Sequence, residues 1–121
     1  MLPSSRLRRR AEFRAVYQQG VKVVGTFLVV FAVAKTGDST RLGITATRKT
    51  GSAVVRNRAR RRLRALFDLH GVGRESWHGD VVVNVRLGCA ETTWAELEED
   101  YLRCMRKATS QHRSGGSPSP S

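Results

Sequence analysis

A chain of 121 residues has room for one hydrophobic core, and its 40% hydrophobic content is enough to build one, which excludes a wholly disordered basic tail. Lys and Arg number 22 against 10 Asp and Glu, a formal net charge of +12. An excess of this size points to a polyanionic partner, because each phosphate neutralised releases condensed counterions.

In chain order, the first predicted element is a short helix over Ala11 to Gln19, stopped by Gly20. Phe13, Val16 and Tyr17 fall at i, i+3 and i+4, giving one apolar-aromatic face opposite arginines. Val21 to Val24 and the β-branched run Phe27 to Lys35 read as strands. The second is apolar enough to be buried on both faces, or on one face with the other lining a cleft. After the turn at Thr36-Gly37-Asp38-Ser39, Arg41 to Arg48 alternates weakly and reads as the hairpin partner of that strand.

A second helix is predicted from Ala53 to about His70, with Ser52 as N-cap and Gly71 as stop. Val55, Ala59, Leu63, Leu66 and His70 share its apolar sector, while Asn57, Arg61, Arg64 and Asp68 lie opposite. Arg56 and Arg60 flank one edge of that sector and Arg62 the other, where a long stem can lie along apolar surface. Asp80 to Arg86 reads as a buried strand. Thr93 to Glu96 forms a capping box for a last helix, on which Trp94, Leu97, Tyr101 and Met105 recur at helical spacing. The order is α-β-β-β-α-β-α: an α+β chain, a two-layer sandwich of a roughly four-stranded mixed sheet and helices. Residues 1–109 read as one polyanion-binding domain and residues 110–121 as a disordered polar tail.

The charge is focused. From Arg41 through Arg64 there are nine basic residues and no acid, while Glu91, Glu96, Glu98, Glu99 and Asp100 cluster late in the chain. Arginine outnumbers lysine 18 to 4, and its planar fork suits phosphate. The opening MLPSSRLRRR lacks the apolar core of a signal peptide, and the longest apolar stretch is under half a membrane span. Cys89 and Cys104 have no metal-ligand spacing, so the reading is a reduced, cytoplasmic protein without a membrane partner or small-molecule substrate.

The informative segment is Arg41-Leu-Gly-Ile-Thr-Ala-Thr-Arg-Lys-Thr-Gly-Ser-Ala-Val-Val-Arg-Asn-Arg-Ala-Arg-Arg-Arg-Leu-Arg64. A strand ending in two basic residues, a Gly-containing turn and a helix opening Arg-Asn-Arg together resemble the signature of the bacterial ribonuclease P protein subunit family. Arg6-Leu7-Arg8 with Glu12-Phe13 and Val16-Tyr17 is similar to that family's first helix, and the resemblance extends over roughly residues 6 to 107. It implies that Arg56, Asn57, Arg58, Arg60, Arg61 and Arg64 bind a catalytic RNA. It further implies a cleft between the first helix and the sheet, where Phe13, Tyr17 and Phe31 stack on the 5′ leader of precursor tRNA and Arg48, Lys49 and Arg86 supply charge. Tyr17 stands where the family commonly has Phe, Phe31 where it commonly has Tyr, and Leu87-Gly88 replaces a basic residue and proline.

No catalytic residue is assigned. His70, His78 and His112 fall on a helix end, a loop and the tail, and Glu96, Glu99 and Asp100 read more simply as a solvated helix face than as a metal site. There is no P-loop, nucleophile elbow or Cys/His metal pattern. The resemblance implies hydrolysis run by RNA with magnesium held mainly by that RNA, no metal being bound by a protein motif. Two other readings remain: a general basic RNA-binding or assembly module without a role in tRNA processing, and a self-sufficient nuclease with a carboxylate-metal site.

Overall fold

The computed structural model describes residues 6–110. Its elements are α1 (Arg10–Gln19), β1 (Val21–Val24), β2 (Leu28–Ala34), β3 (Thr40–Thr45), α2 (Ala53–His70), β4 (Gly79–Val85) and α3 (Trp94–Ser110), in the expected order. The strand predicted to reach Arg48 stops at Thr45, and Arg48–Thr50 instead forms a short 3-10 turn leading into α2. Apart from Ser110, which ends α3, the predicted polar tail lies outside the described residues.

Local chemistry sets the helix limits. The Ser52 hydroxyl accepts the Val55 N–H at 3.3 Å and caps α2. Gly71, at φ +58°, ends it by donating to the Phe67 carbonyl at 2.7 Å. The capping box of α3 is half made: Thr93 Oγ1 accepts the Glu96 N–H at 3.1 Å, while the Glu96 carboxylate takes the Thr92 hydroxyl instead. Gly20 does end α1, but its backbone is extended, at φ −82°. Glycine suits it because of proximity: a Cβ there would lie 2.6 Å from the Val16 carbonyl oxygen and 3.1 Å from backbone atoms of Ala32.

One expectation is corrected. β3 is not the hairpin partner of β2, because the sheet order is β1-β2-β4-β3. β4 lies between them, antiparallel to β2 (Phe31 opposite Val82) and parallel to β3 (Leu42 opposite Val81). Weak alternation gives a strand's faces but not its neighbour. The physical preference lies in β4, whose Val81, Val82 and Val83 are all buried and which therefore suits a central place. The parallel β3–β4 pair needs a long crossover, and α2 provides it.

The two faces of the sheet are covered unequally. On one, Leu28, Val30, Ala32, Leu42, Val81 and Val83 meet Ala59, Leu63 and Leu66 of α2 and Leu97, Tyr101 and Met105 of α3. On the other, Val16 of the ten-residue α1 packs with Leu7, Val33 and Val82, and Phe13 and Phe31 are only partly buried. Of the two readings open for β2, the structure has the second: one face is sealed and the other borders open space.

Ionic contacts lock this arrangement. Buried Asp80, on β4, takes two hydrogen bonds from Arg41, at 3.1 and 3.0 Å, and an ion pair from Lys35 at 2.9 Å. Arg41 also donates to Glu12 of α1 at 2.9 Å, and the other Glu12 oxygen accepts the backbone N–H groups of Arg8 and Arg9, each at 3.1 Å. Burial pushes the Asp80 carboxyl up, but the hydrogen bonds from Arg41 and Lys35 outweigh it and leave it lowered. On the opposite face, buried Asp100 of α3 accepts the N–H groups of Thr26 (3.1 Å) and Phe27 (2.8 Å) and pairs with Arg103, tying α3 to the β1–β2 turn.

Two predictions follow from the Asp80 cluster. Asp80→Asn should destabilise the fold by about 3 kcal/mol, the low end for a broken buried pair because Arg41 keeps a route to solvent. Urea denaturation measures this, and an unchanged midpoint would show the cluster to be ornamental. The Glu12 carboxyl is held down to about 2 by the Arg9 and Arg8 N–H groups and then by Arg41, against an ordinary value of 4.5. Its stabilisation is therefore complete above pH 4.5 and is lost as pH falls toward 2. Glu12→Gln should flatten acid unfolding, followed by circular dichroism, over that interval alone.

Candidate nucleic-acid interface

A partly exposed aromatic pair lies beside the end of α1. Tyr17, in the last turns of α1, is 37% exposed, and its ring meets Phe31 of β2 edge-on, with centroids 4.8 Å apart. The Tyr17 hydroxyl donates to Asn84 Oδ1 at 2.8 Å and lies 3.3 Å from Thr45 Oγ1, which also bonds Asn84. Lys22 of β1 stands opposite Phe31 in register, its ammonium 5.8 Å from the ring centroid. Tyr17 and Phe31 thus form one aromatic corner with a cation beside it. Phe13 is more deeply placed: it packs so closely on β3 that a Cβ on Gly43 would lie 2.6 Å from its ring. Of the predicted trio, Phe13 therefore also serves the α1 core.

The predicted cationic groups are placed more widely. Arg48 and Lys49 are exposed on the 3-10 turn. Lys49 and Arg86 line one groove of about 320 Å³ with Thr26, Thr47, Thr50, Val85 and Leu87. The Arg86 guanidinium also donates to the Gly25 carbonyl at 2.7 Å, so it braces the β1–β2 turn as well as facing the groove.

Along α2, Asn57, Arg58 and Arg61 are exposed, and Arg56, Arg60 and Arg64 are half-buried. Arg60 donates to Asn57 Oδ1 at 3.3 Å, while Arg56 Nε is buried with no hydrogen-bond partner. The Arg64 guanidinium has a lowered pKa, through burial first and then repulsion from Arg6, with Arg60 adding to it against the opposing pull of Asp68. Arg62 differs: it donates to the Cys89 carbonyl at 2.8 Å and to the Thr92 carbonyl at 2.7 Å, fastening the β4–α3 turn to α2.

Sequence reasoning missed Lys22, Thr45, Asn84 and the role of Arg62. A signal existed for Asn84, since Asp80, Val82 and Asn84 alternate on one face of β4 and the strand reads polar at both ends of that face. The contacts of Arg62 depend on a long-range return of the chain that no local pattern encodes.

His70 bridges α2 to α3 through Glu98, at 2.7 Å, in keeping with a structural part. Burial pushes the thiols of Cys89 and Cys104 up to about 11, which makes both poor nucleophiles at neutral pH. Among the described residues, no group of three or more His, Cys, Asp or Glu could hold a metal ion, and no helix is long and apolar enough to cross a membrane.

Fold and surface together define a small, basic α+β protein with a partly exposed aromatic pair on one sheet face and an arginine-rich helix over the other. A sequence model of the family described as Ribonuclease P matches residues 1–109. The ribonuclease P protein component of Gluconacetobacter diazotrophicus is 44% identical over 106 residues, covering 85% of this chain and 90% of that one. That of Syntrophomonas wolfei is 34% identical over 104 residues, covering 86% and 87%. The solved Staphylococcus aureus RNase P protein superposes with a TM-score of 0.77 at 26% identity, over 88% of this chain and 96% of that one. The Thermotoga maritima RNase P protein gives 0.74 at 28% identity, over 84% and 96%. The chain belongs to the family of bacterial ribonuclease P protein components, subunits of an RNA-based endoribonuclease of tRNA processing.

The arginines of α2 should separate into two groups by melting temperature. Arg62→Ala removes two carbonyl bonds and should cost roughly 1–3 kcal/mol. Arg58→Ala and Arg61→Ala should stay within about 0.5 kcal/mol of the parent, as exposed substitutions do. Equal losses at all three positions would refute the division.

Proposed function

We propose that this chain binds the catalytic RNA of ribonuclease P through Arg56, Asn57, Arg58, Arg60, Arg61 and Arg64. In the same reading it receives the 5′ leader of precursor tRNA in the cleft of Phe13, Tyr17 and Phe31, with Arg48, Lys49 and Arg86 around it. The observation that carries the leader reading is the Tyr17–Phe31 corner, an edge-on pair left partly open beside Lys22 instead of being sealed under α1. Splayed bases stack on such surfaces with little sequence preference, which suits a leader of varied sequence. The RNA reading is supported by guanidiniums on α2 that no acid neutralises within the segment from Arg41 to Arg64.

The reaction is hydrolysis of one phosphodiester, releasing the leader and leaving a 5′-phosphate on the tRNA. The protein holds the leader, which precursor has and product lacks, so its binding energy favours substrate over product. Its cations screen the repulsion between catalytic RNA and substrate phosphates. Magnesium held by the RNA would supply the activated water, while the residues of this chain bind and position the substrate.

Cleavage of precursor tRNA in magnesium should require both the chain and the RNA subunit at physiological salt. Cleavage by protein alone would favour a protein nuclease instead. Within the reconstituted enzyme, Tyr17→Ala should weaken precursor affinity by about five- to 150-fold, the worth of one stacked base. Product affinity and the single-turnover rate at saturation should hold. Equal losses for precursor and product would remove the leader site, and a loss confined to melting temperature would make these aromatics core.

A further inference from the structure

Trp94, the first residue of α3, is 39% exposed, whereas the chain's other tryptophan, Trp77, is buried in the main core. The indole is held in place. The guanidinium carbon of Arg62 lies 5.9 Å from its ring centroid, and that guanidinium is itself fixed by the Cys89 and Thr92 carbonyls at 2.8 and 2.7 Å. Arg62 cannot turn away to solvent without giving up both bonds. The ring therefore has a stationary cation against it and open surface beyond. One helical turn earlier on the same side of α2 stands Arg58, exposed and bearing an unengaged guanidinium.

A single exposed apolar side chain is ordinary on a protein surface. A fixed, arginine-backed indole one helical turn from an exposed arginine is a different object, since an immobilised ring has little side-chain freedom left to lose on binding. The geometry points to a nucleobase-stacking site: Trp94, backed by Arg62, takes one unpaired base of the catalytic RNA, while Arg58 holds a neighbouring phosphate. This deepens the proposed RNA contact of α2 and rests on it. The site lies on the α2–α3 side of the sheet, away from the leader cleft, so its ligand belongs to the RNA subunit. Any base presents a π-face, so the site selects an unstacked nucleotide and not a particular letter.

Tryptophan emission tests it directly, because the difference between the parent spectrum and that of Trp94→Phe isolates the signal of Trp94 from that of Trp77. Titrating the full chain with ribonuclease P RNA should quench this difference signal and shield it from acrylamide, while anisotropy of labelled RNA reports binding independently. Trp94→Leu, apolar but without a π-face, should lose roughly five- to 100-fold in RNA affinity, and Trp94→Phe should keep most of it. Thermal melts should show both variants fully folded at the assay temperature, so that their difference in RNA affinity reports the π-face and not unfolding. Saturable RNA binding with Trp94 emission and acrylamide access unchanged overturns the stacking site and leaves the α2 contact standing, as does equal affinity for the Leu and Phe variants. No saturable binding at all removes the α2–RNA reading, and the stacking site with it.

Discussion

The carboxylate of Asp80 governs how the rest of the molecule can be arranged. It sits at the start of the central strand, 3% exposed, and is satisfied by Arg41 from β3 and Lys35 from the chain after β2. Arg41 then passes the connection to Glu12 of α1. One buried acid thus ties together three sheet segments and α1, the one helix on that face among the described residues. This anchor holds the N-terminal end of α1, where Glu12 also caps backbone N–H groups, and Tyr17 ties the other end to Asn84 of β4. Ten residues span about 15 Å, too little to cover a four-stranded face. The rest of that face leaves Tyr17 and Phe31 partly exposed.

The same logic divides the arginines. A chain with 18 of them and ten acids cannot pair each with a carboxylate, and this one pairs few. Arg41 pairs with two acids; Arg62, Arg74 and Arg86 donate to backbone carbonyls. Carbonyls at turns and helix ends are orphan acceptors, and a guanidinium can satisfy two of them without introducing a negative charge. Loops are therefore fastened without adding acids to the cationic part of the surface. Acids at those positions would have neutralised the field that an RNA partner requires.

How much of this was legible in the sequence depended on the range of the interaction. Element order, the Ser52 cap, the apolar stripe of α2 and the buried core of β4 follow from patterns within a few residues, and all four stand. The partner of β3 did not follow, because alternation in Arg41 to Arg48 is equally compatible with β2 or β4 as neighbour. Only the burial of Val82 on the face opposite Val81 and Val83 shows that β4 must be flanked and covered on both sides. Within the proposed interface, Tyr17 and Phe31 meet because of sheet geometry, which neither residue's local pattern could supply. Their placement was available only through the family resemblance. Phe13 shows the limit of that route: a motif position gives a residue's neighbourhood without saying how much of its ring remains free once Gly43 approaches.

A cationic surface of this density also bears on the protein without its partner. Arg64 is partly desolvated and repelled by Arg6 and Arg60, while Asp68 pulls the other way. In the free chain such repulsion works against compaction, and the ionic locks at Asp80 and Asp100 oppose it from inside the fold. Both acids lie where no polyanion can displace them, 3% exposed beneath their own cations. A polyanion at α2 would lower the repulsion further and stabilise the native state by mass action, since it binds the folded arrangement of arginines and not the unfolded chain's. The internal carboxylates therefore offset from within part of the repulsion that a bound polyanion would relieve from outside. That is a physical reason for the buried acids to be grouped under the sheet and turn contacts, away from the helix that carries the free arginines.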